Sequence, residues 1–226
     1  MTYRHQSPEN EVLQSWHHNA AAWAQTVRGG HIESRRLVTD HAIVNAICDA
    51  QPRSVLDIGC GEGWLVRALA SQGIRAMGVD AVPALIAQAR DAGGEFQLAS
   101  YEEIATGCLQ LKADTLVCNF ALLGKESVEQ LLTSLPGLLE EGGRLIVQTV
   151  HPLAACGEQA YMDGWRTEEW TGFGSTFPSP APWYFRTLAS WVALFAHTGW
   201  RLCEMREPLH PVTSKPASVI FIVQNA

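Results

Sequence analysis

Residues 55–65 read VLDIGCGEGWL. Glycines 59, 61 and 63 alternate with Cys60 and Glu62, directly behind a short apolar run that carries Asp57. A glycine has no Cβ, so a ligand or neighbouring chain can approach its backbone closely. A phosphate, a dinucleotide or another group needing bare main chain can use such a loop. The dinucleotide pattern G-x-G-x-x-G would place its third glycine at position 64, which is Trp64. The loop also lacks the Lys-Ser/Thr ending of a phosphate-binding loop. Metal chemistry has no comparable pattern. None of the six cysteines forms a C-x-x-C pair, and the eight histidines show no H-E-x-x-H spacing. Adjacent His17 and His18 point about 100° apart on a helix. No metal is assigned, and the cysteines read as reduced, buried thiols.

The elements that must position this loop follow from periodicity. Trp16, Ala20, Trp23 and Val27 recur on one helical face, and Gly29-Gly30 end that helix. A second helix runs from about Glu33 to Ala50, before Pro52. Strands and helices then alternate. RSVLDIG, IRAMGVD, EFQLAS, ADTLVCNF and GRLIVQTV are strands, with helices after the first four, the last of them near 126–139. This rhythm predicts a doubly wound α/β fold with a parallel sheet and helices on both faces. Residues 151–182 break it with prolines, glycines and tryptophans, and read as an ordered, irregular lid. A helix over about 184–198 and two final strands, WRLCEMREP and ASVIFIVQNA, close the chain.

The 226 residues suit one domain, 1–226, with a helical cap over 1–50 and the lid at 151–182. Sixteen basic and 23 acidic residues give a formal charge of −7 and no basic stripe, so nucleic acid is not expected as a partner. No apolar run is long enough to span a bilayer. The N-terminus shows no signal pattern, and a cytoplasmic protein is expected, monomeric or homodimeric.

LDIGCGEG resembles the first motif of the class I S-adenosylmethionine-dependent methyltransferases. MGVDA resembles their second motif, ADTLVCNFALL their fourth-strand motif, and LLEEGGRLIVQTVHP their approach to strand five. WYFRTLASWVALFAHTGWRLCEMREP is similar to the small-molecule (methyltransferase type 11/12-like) branch. The resemblance implies a Rossmann-like, seven-stranded, mostly parallel sheet with an antiparallel last strand. It implies S-adenosyl-L-methionine as cofactor and a small-molecule methyl acceptor. The cofactor set would be Asp57, Gly59, Cys60, Gly61, Gly63, Asp80, Ala81, Ser100, Tyr101 and Asn119.

Chemistry supports several of these roles. Asp57 sits where the methionine amino group needs a negative neighbour, or it caps the turn. The helix start near Glu62 favours the methionine carboxylate. Asp80, 21 residues past Gly59, can accept from ribose hydroxyls, cap the helix at Pro83, or both. Ala81 and Val82 can flank adenine. The family usually has an acid after strand three, whereas this chain has Ser100 and Tyr101. Ser100 can bond the adenine amine or form a capping box with Glu103. His151, directly after strand five, is the candidate general base, or else a turn histidine. Trp165, Trp183, Tyr184 and Arg186 are the candidate substrate-binding residues, or else Trp165 and Trp183 anchor the lid. Arg28, His31 and Arg35 are expected to border the pocket. A nicotinamide-dependent oxidoreductase and a cofactor-binding protein without methyl transfer stand as rival readings.

Overall fold

A computed structural model describes residues 7–168, 170 and 177–226. The chain opens with helix α1 (Pro8–Arg28), started by Pro8 and carrying Glu9 and Glu11 in its first turn, where the helix dipole favours acids. One widened π-type segment, Arg35–Thr39, leads into α2 (Asp40–Asp49). The alternating core follows: β1 (Ser54–Ile58), α3 (Trp64–Ser71), β2 (Arg75–Asp80), α4 (Pro83–Asp91), β3 (Glu95–Leu98), α5 (Tyr101–Ala105), β4 (Ala113–Asn119), α6 (Glu126–Ser134) and β5 (Leu139–Val150). Then come α7 (Pro152–Cys156), β6 (Gly164–Glu168), β7 (Ala181–Phe185), α8 (Leu188–His197), β8 (Trp200–Arg206) and β9 (Ser218–Asn225).

Seven strands form one sheet in the order β3-β2-β1-β4-β5-β9-β8. All neighbours are parallel except β9, which runs antiparallel to both β5 and β8. The predicted architecture is therefore present. Strand period two sends alternate side chains to opposite faces. Leu56, Ile58, Leu116 and Val147 pack with Leu131 of α6 and Phe195 of α8. Val55, Val117 and Ile146 pack with Ile43 and Ile47 of α2 and Leu65 of α3. Strand order reverses between β1 and β4, and the crevice beyond their carboxyl ends is where such sheets take ligands.

Four expectations change. The helix near 126–139 stops at Ser134 and continues as a 3₁₀ turn over Leu135–Leu138, because Pro136 has no N–H to extend an α-helical ladder. The stretch 151–182 is not irregular throughout: α7 lies in it, and β6 and β7 pair as an antiparallel ribbon. The final helix begins at Leu188 rather than near 184, since Thr187 caps it by accepting from Ser190 N at 3.1 Å. Trp183, Tyr184 and Phe185 thus belong to a strand, as their aromatic character favours. Among the described cysteines there is no disulfide; Cys60, Cys118 and Cys156 are buried, but Cys108 and Cys203 are exposed, against expectation.

Helix α1 is fastened to the ribbon. Buried Asn19 donates to Ser179 O at 2.7 Å and accepts from Ser179 N at 3.2 Å, imitating a strand neighbour. Ser15 Oγ donates to Pro180 O at 2.8 Å. Asn19→Ala removes the partner of the Ser179 amide and one of two donors to the Ser179 carbonyl, the other being Trp170 Nε1 at 2.7 Å, in a part-buried seam. It is expected to cost about 1–3 kcal/mol in urea unfolding; unchanged stability would contradict the clasp.

Candidate functional site

The glycine loop leaves β1 with all three glycines in left-handed conformations, φ +77°, +57° and +82° at 59, 61 and 63. At Gly59 a side chain would also collide with Ala121, just beyond β4. The loop amides are already committed. Gly59 N and Cys60 N donate to Val79 O at 2.7 and 3.0 Å, Gly61 N to Asp80 Oδ2 at 2.8 Å, and Gly63 N to Cys60 O at 3.0 Å. A phosphate cradle needs free amide donors. This loop has turned those four inward.

Around it stand buried acids. Asp57 is 2 % exposed, and its Oδ1 has no partner. Burial, then the neighbouring Asp80 charge, push its carboxyl up to about 8, against the opposing pull of Arg35. Asp80 is also held above the usual carboxylate range, chiefly by burial, although the Val82 and Gly61 amides oppose the shift. Its Oδ1 accepts from Val82 N at 2.9 Å, so it braces the turn into α4, while Val82 occupies the cap position. Ala81 lies between them, partly buried. Glu62, buried between two glycines, binds Arg28 and Arg67 through Oε2 at 2.9 and 2.6 Å. Arg28 thereby ties the end of α1 to the loop, and Trp23 of α1 lies over Gly61.

A polar row lies on the α2 face of the sheet. Gln148 Nε2 donates to Asn119 Oδ1 at 2.9 Å and to Thr39 O at 3.1 Å. Arg35 pairs with Asp40 at 2.9 Å, and its guanidinium stacks 4.7 Å from the Trp64 ring centroid. Arg35 Nη2 and Thr39 Oγ1 are buried without partners, as is Asp57 Oδ1. An unpartnered cationic donor and an unpartnered acceptor therefore share one wall.

The remaining predicted residues divide. Cys60 turns its thiol into the core against Gly78 and Phe96, so only its backbone stays with the loop. Ser100 forms the capping box: Glu103 N donates to Ser100 Oγ at 3.2 Å, and Ser100 N to Glu103 Oε2 at 2.7 Å. Those backbone and hydroxyl bonds hold the Glu103 carboxyl below its usual range. Tyr101 reaches across to Ala121, donating to its carbonyl at 3.0 Å beside Gly59. His151 is fully buried. Its Nδ1 accepts from Leu153 N at 3.2 Å, and its Nε2 lies 2.8 Å from Glu207. Trp183, Tyr184 and Arg186 line a narrow cleft with Leu122, Thr149 and Pro152 beyond β4 and β5. Trp165 pairs with Tyr184 across the ribbon, ring centroids 5.5 Å apart. Glu168 accepts from Trp170 N at 2.9 Å.

Sequence reasoning missed Thr39, Gln148 and the cover from Trp23. Gln148 carried a signal: an amide inside the apolar run LIVQTV is costly to bury without partners. Among the described residues no group of three or more His, Cys, Asp or Glu is placed to hold a metal, and no helix is long and apolar enough to cross a membrane.

Fold and loop together define a class I methyltransferase scaffold. The chain belongs to the methyltransferase-domain family, whose model matches residues 16–204. It is similar to the ubiquinone biosynthesis O-methyltransferase of Xylella fastidiosa (strain M23), 33 % identical over 103 residues, which cover 43 % of this chain and 42 % of that protein. The chain thus spans less than half the length of that curated relative. Among solved structures it resembles an S-adenosylmethionine-dependent methyltransferase from Clostridium acetobutylicum, with TM-score 0.63, 11 % identity, and 92 % and 97 % of the two chains covered. The DhpI-SAH complex aligns with TM-score 0.60 and 16 % identity over 96 % and 98 % of the chains.

Proposed function

We propose that this chain transfers a methyl group from S-adenosyl-L-methionine to a small-molecule acceptor. The observation that carries the proposal is the wall bearing an unpartnered Asp57 Oδ1 and an unpartnered Arg35 Nη2 beside a loop with four inward-turned amides. A zwitterion fits that wall: Asp57 takes the ammonium of the methionine end, and Arg35, steadied by Trp64, takes its carboxylate. Asp80 retains lone pairs for ribose hydroxyls, because each carboxylate oxygen can accept two bonds. When bound, the cofactor supplies a methyl group already activated on a sulfonium. The protein's work is then alignment and exclusion of water, for which orientation alone supplies ~7–11 kcal/mol in favourable cases. Trp23 and the clasped α1 cover the loop side, and β7 walls the acceptor side.

A nicotinamide dinucleotide fits less well, since its pyrophosphate would meet three acids and an amide-poor loop. Calorimetry with S-adenosylhomocysteine and with NAD separates the two: heat with the first only supports the proposal, and heat with NAD only ends it. Radiolabelled methyl transfer into a fractionated metabolite extract then tests turnover.

Ser100 carries a second prediction. Ser100→Ala is expected to lower stability by ~1 kcal/mol through the lost cap. A simultaneous fall in S-adenosylhomocysteine affinity would support the adenine role; unchanged affinity would leave the cap alone. His151 would have to release the Leu153 amide before its Nδ1 could accept a substrate proton. His151→Gln is therefore expected to leave the shape of the pH–rate profile intact. Loss of that profile's rising limb would instead support the histidine as base.

A further inference from the structure

Among the described residues, the cleft beyond β4 and β5 contains a buried cation, Arg186, that no carboxylate meets in a direct ion pair, although the charges of Asp163, Glu9 and Glu129 reach it. Arg186 is 5 % exposed and lines the cleft. Its guanidinium is held between the Tyr184 and Trp191 rings, 4.9 and 5.0 Å from their centroids. Nη2 donates to Lys125 O at 3.1 Å, while Nη1 is buried without a partner. Acids whose charges reach Arg186 are committed elsewhere. Asp163 accepts from Thr187 N at 2.9 Å, and Glu9 accepts from Ser127 Oγ at 2.7 Å and from the Lys125 and Glu126 amides. Glu129 lies 3.2 Å from His197. An isolated buried guanidinium is costly to keep unless something completes it.

Position links the cleft to the glycine loop. Leu122 and Leu123 line it, and they directly follow Ala121, the residue that closes on Gly59. Tyr184 N donates to Leu123 O at 2.7 Å, so β7 is fastened to the same loop. The six-residue connection over 120–125 meets the bare backbone through Ala121 and the cation through Lys125. Apart from Arg186 the lining is apolar or aromatic, with the Thr149 hydroxyl as a further polar group. Lys125 and Arg166 sit against the Tyr184 and Phe185 rings, 5.7 and 3.5 Å from their centroids, but Arg186 alone among the lining residues carries a charge, and one lining cation matches one negative charge.

Resting on the methyl-transfer reading, we infer that this cleft takes an acceptor with a carboxylate on an apolar or aromatic body, the carboxylate pairing with Arg186 Nη1. The acceptor class is thus a small organic acid, and Arg186 selects it.

The test uses the full chain saturated with S-adenosylhomocysteine, titrated with phenylacetate, phenylacetamide and phenyl phosphate. S-adenosylhomocysteine binding is measured first; its failure sinks the cofactor reading and this inference with it. With that product bound, phenylacetate is expected to bind at least roughly tenfold tighter than the amide, as a charge-assisted hydrogen bond gives, and tighter than the phosphate. R186Q is expected to erase the acid-over-amide preference while retaining S-adenosylhomocysteine affinity. Equal binding of acid and amide, tighter binding of the phosphate, no binding by any probe, or an unchanged preference in R186Q would overturn the inference alone. The acid–amide comparison in the wild type needs no variant, so a poorly folding R186Q leaves the inference falsifiable.

Discussion

Asp57→Asn is expected to lower affinity for S-adenosylhomocysteine by roughly 10–100-fold, the weight of a charge-assisted hydrogen bond to a buried acceptor. It should also remove a pH dependence. In the folded, ligand-free chain this carboxyl keeps its proton up to about pH 8, against 3.8 ordinarily, because burial and Asp80 oppose ionisation. The folded state therefore binds more protons than the unfolded state between those values. The stability from this group is complete below pH 3.8 and declines as pH rises through about 8, at most ~1.4 kcal/mol per unit. An ammonium ligand requires the ionised form. Binding should release a proton below pH 8, and affinity should climb with pH by up to about tenfold per unit between pH 6 and 7.5. Calorimetry in buffers of different ionisation enthalpy counts that proton. Wild-type affinity that is flat over this range, or the same slope in D57N, would remove Asp57 from the site.

Gly59→Ala is expected to abolish measurable binding and to cost about 2–4 kcal/mol of stability, combining left-handed backbone strain with overpacking. The added methyl meets Ala121, so the connection after β4 must move, carrying the Tyr101 contact with it. Ala121→Gly should relieve the steric part. The double variant is then expected to regain part of the lost stability, a coupling that distant sites do not show. Strictly additive losses would place the collision elsewhere.

Much of the scaffold was legible because its signals are local. Short apolar runs such as VLDI and LIVQ, set between helical segments and glycines, announced strands at the right places, and glycine spacing with Trp64 argued against a pyrophosphate. The ribbon was harder to see. Pro180 and Pro182 look like loop residues, and the pairing that makes Ala181–Phe185 a strand comes from residues 164–168, brought close only by folding. The site shows the same divide. Asp57 and Asp80 were visible through their distance from Gly59. Thr39 and Gln148 became visible only when α2 settled against the sheet and the Gln148 amide reached the Thr39 carbonyl. His151 could be placed at the sheet edge from its position after β5, but the contact of its Nε2 depends on Glu207, 56 positions away.

The Asn19 clasp joins two compartments mechanically. Helix α1 roofs the glycine loop, and Ser179, which Asn19 grips, leads directly into the strand that walls the Arg186 cleft. Under the proposed methyl-transfer reading, prising up the helix to admit or discharge the nucleoside would also disturb the wall of the acceptor's cleft. Such a linkage favours a fixed sequence of arrivals and departures over independent traffic through two doors.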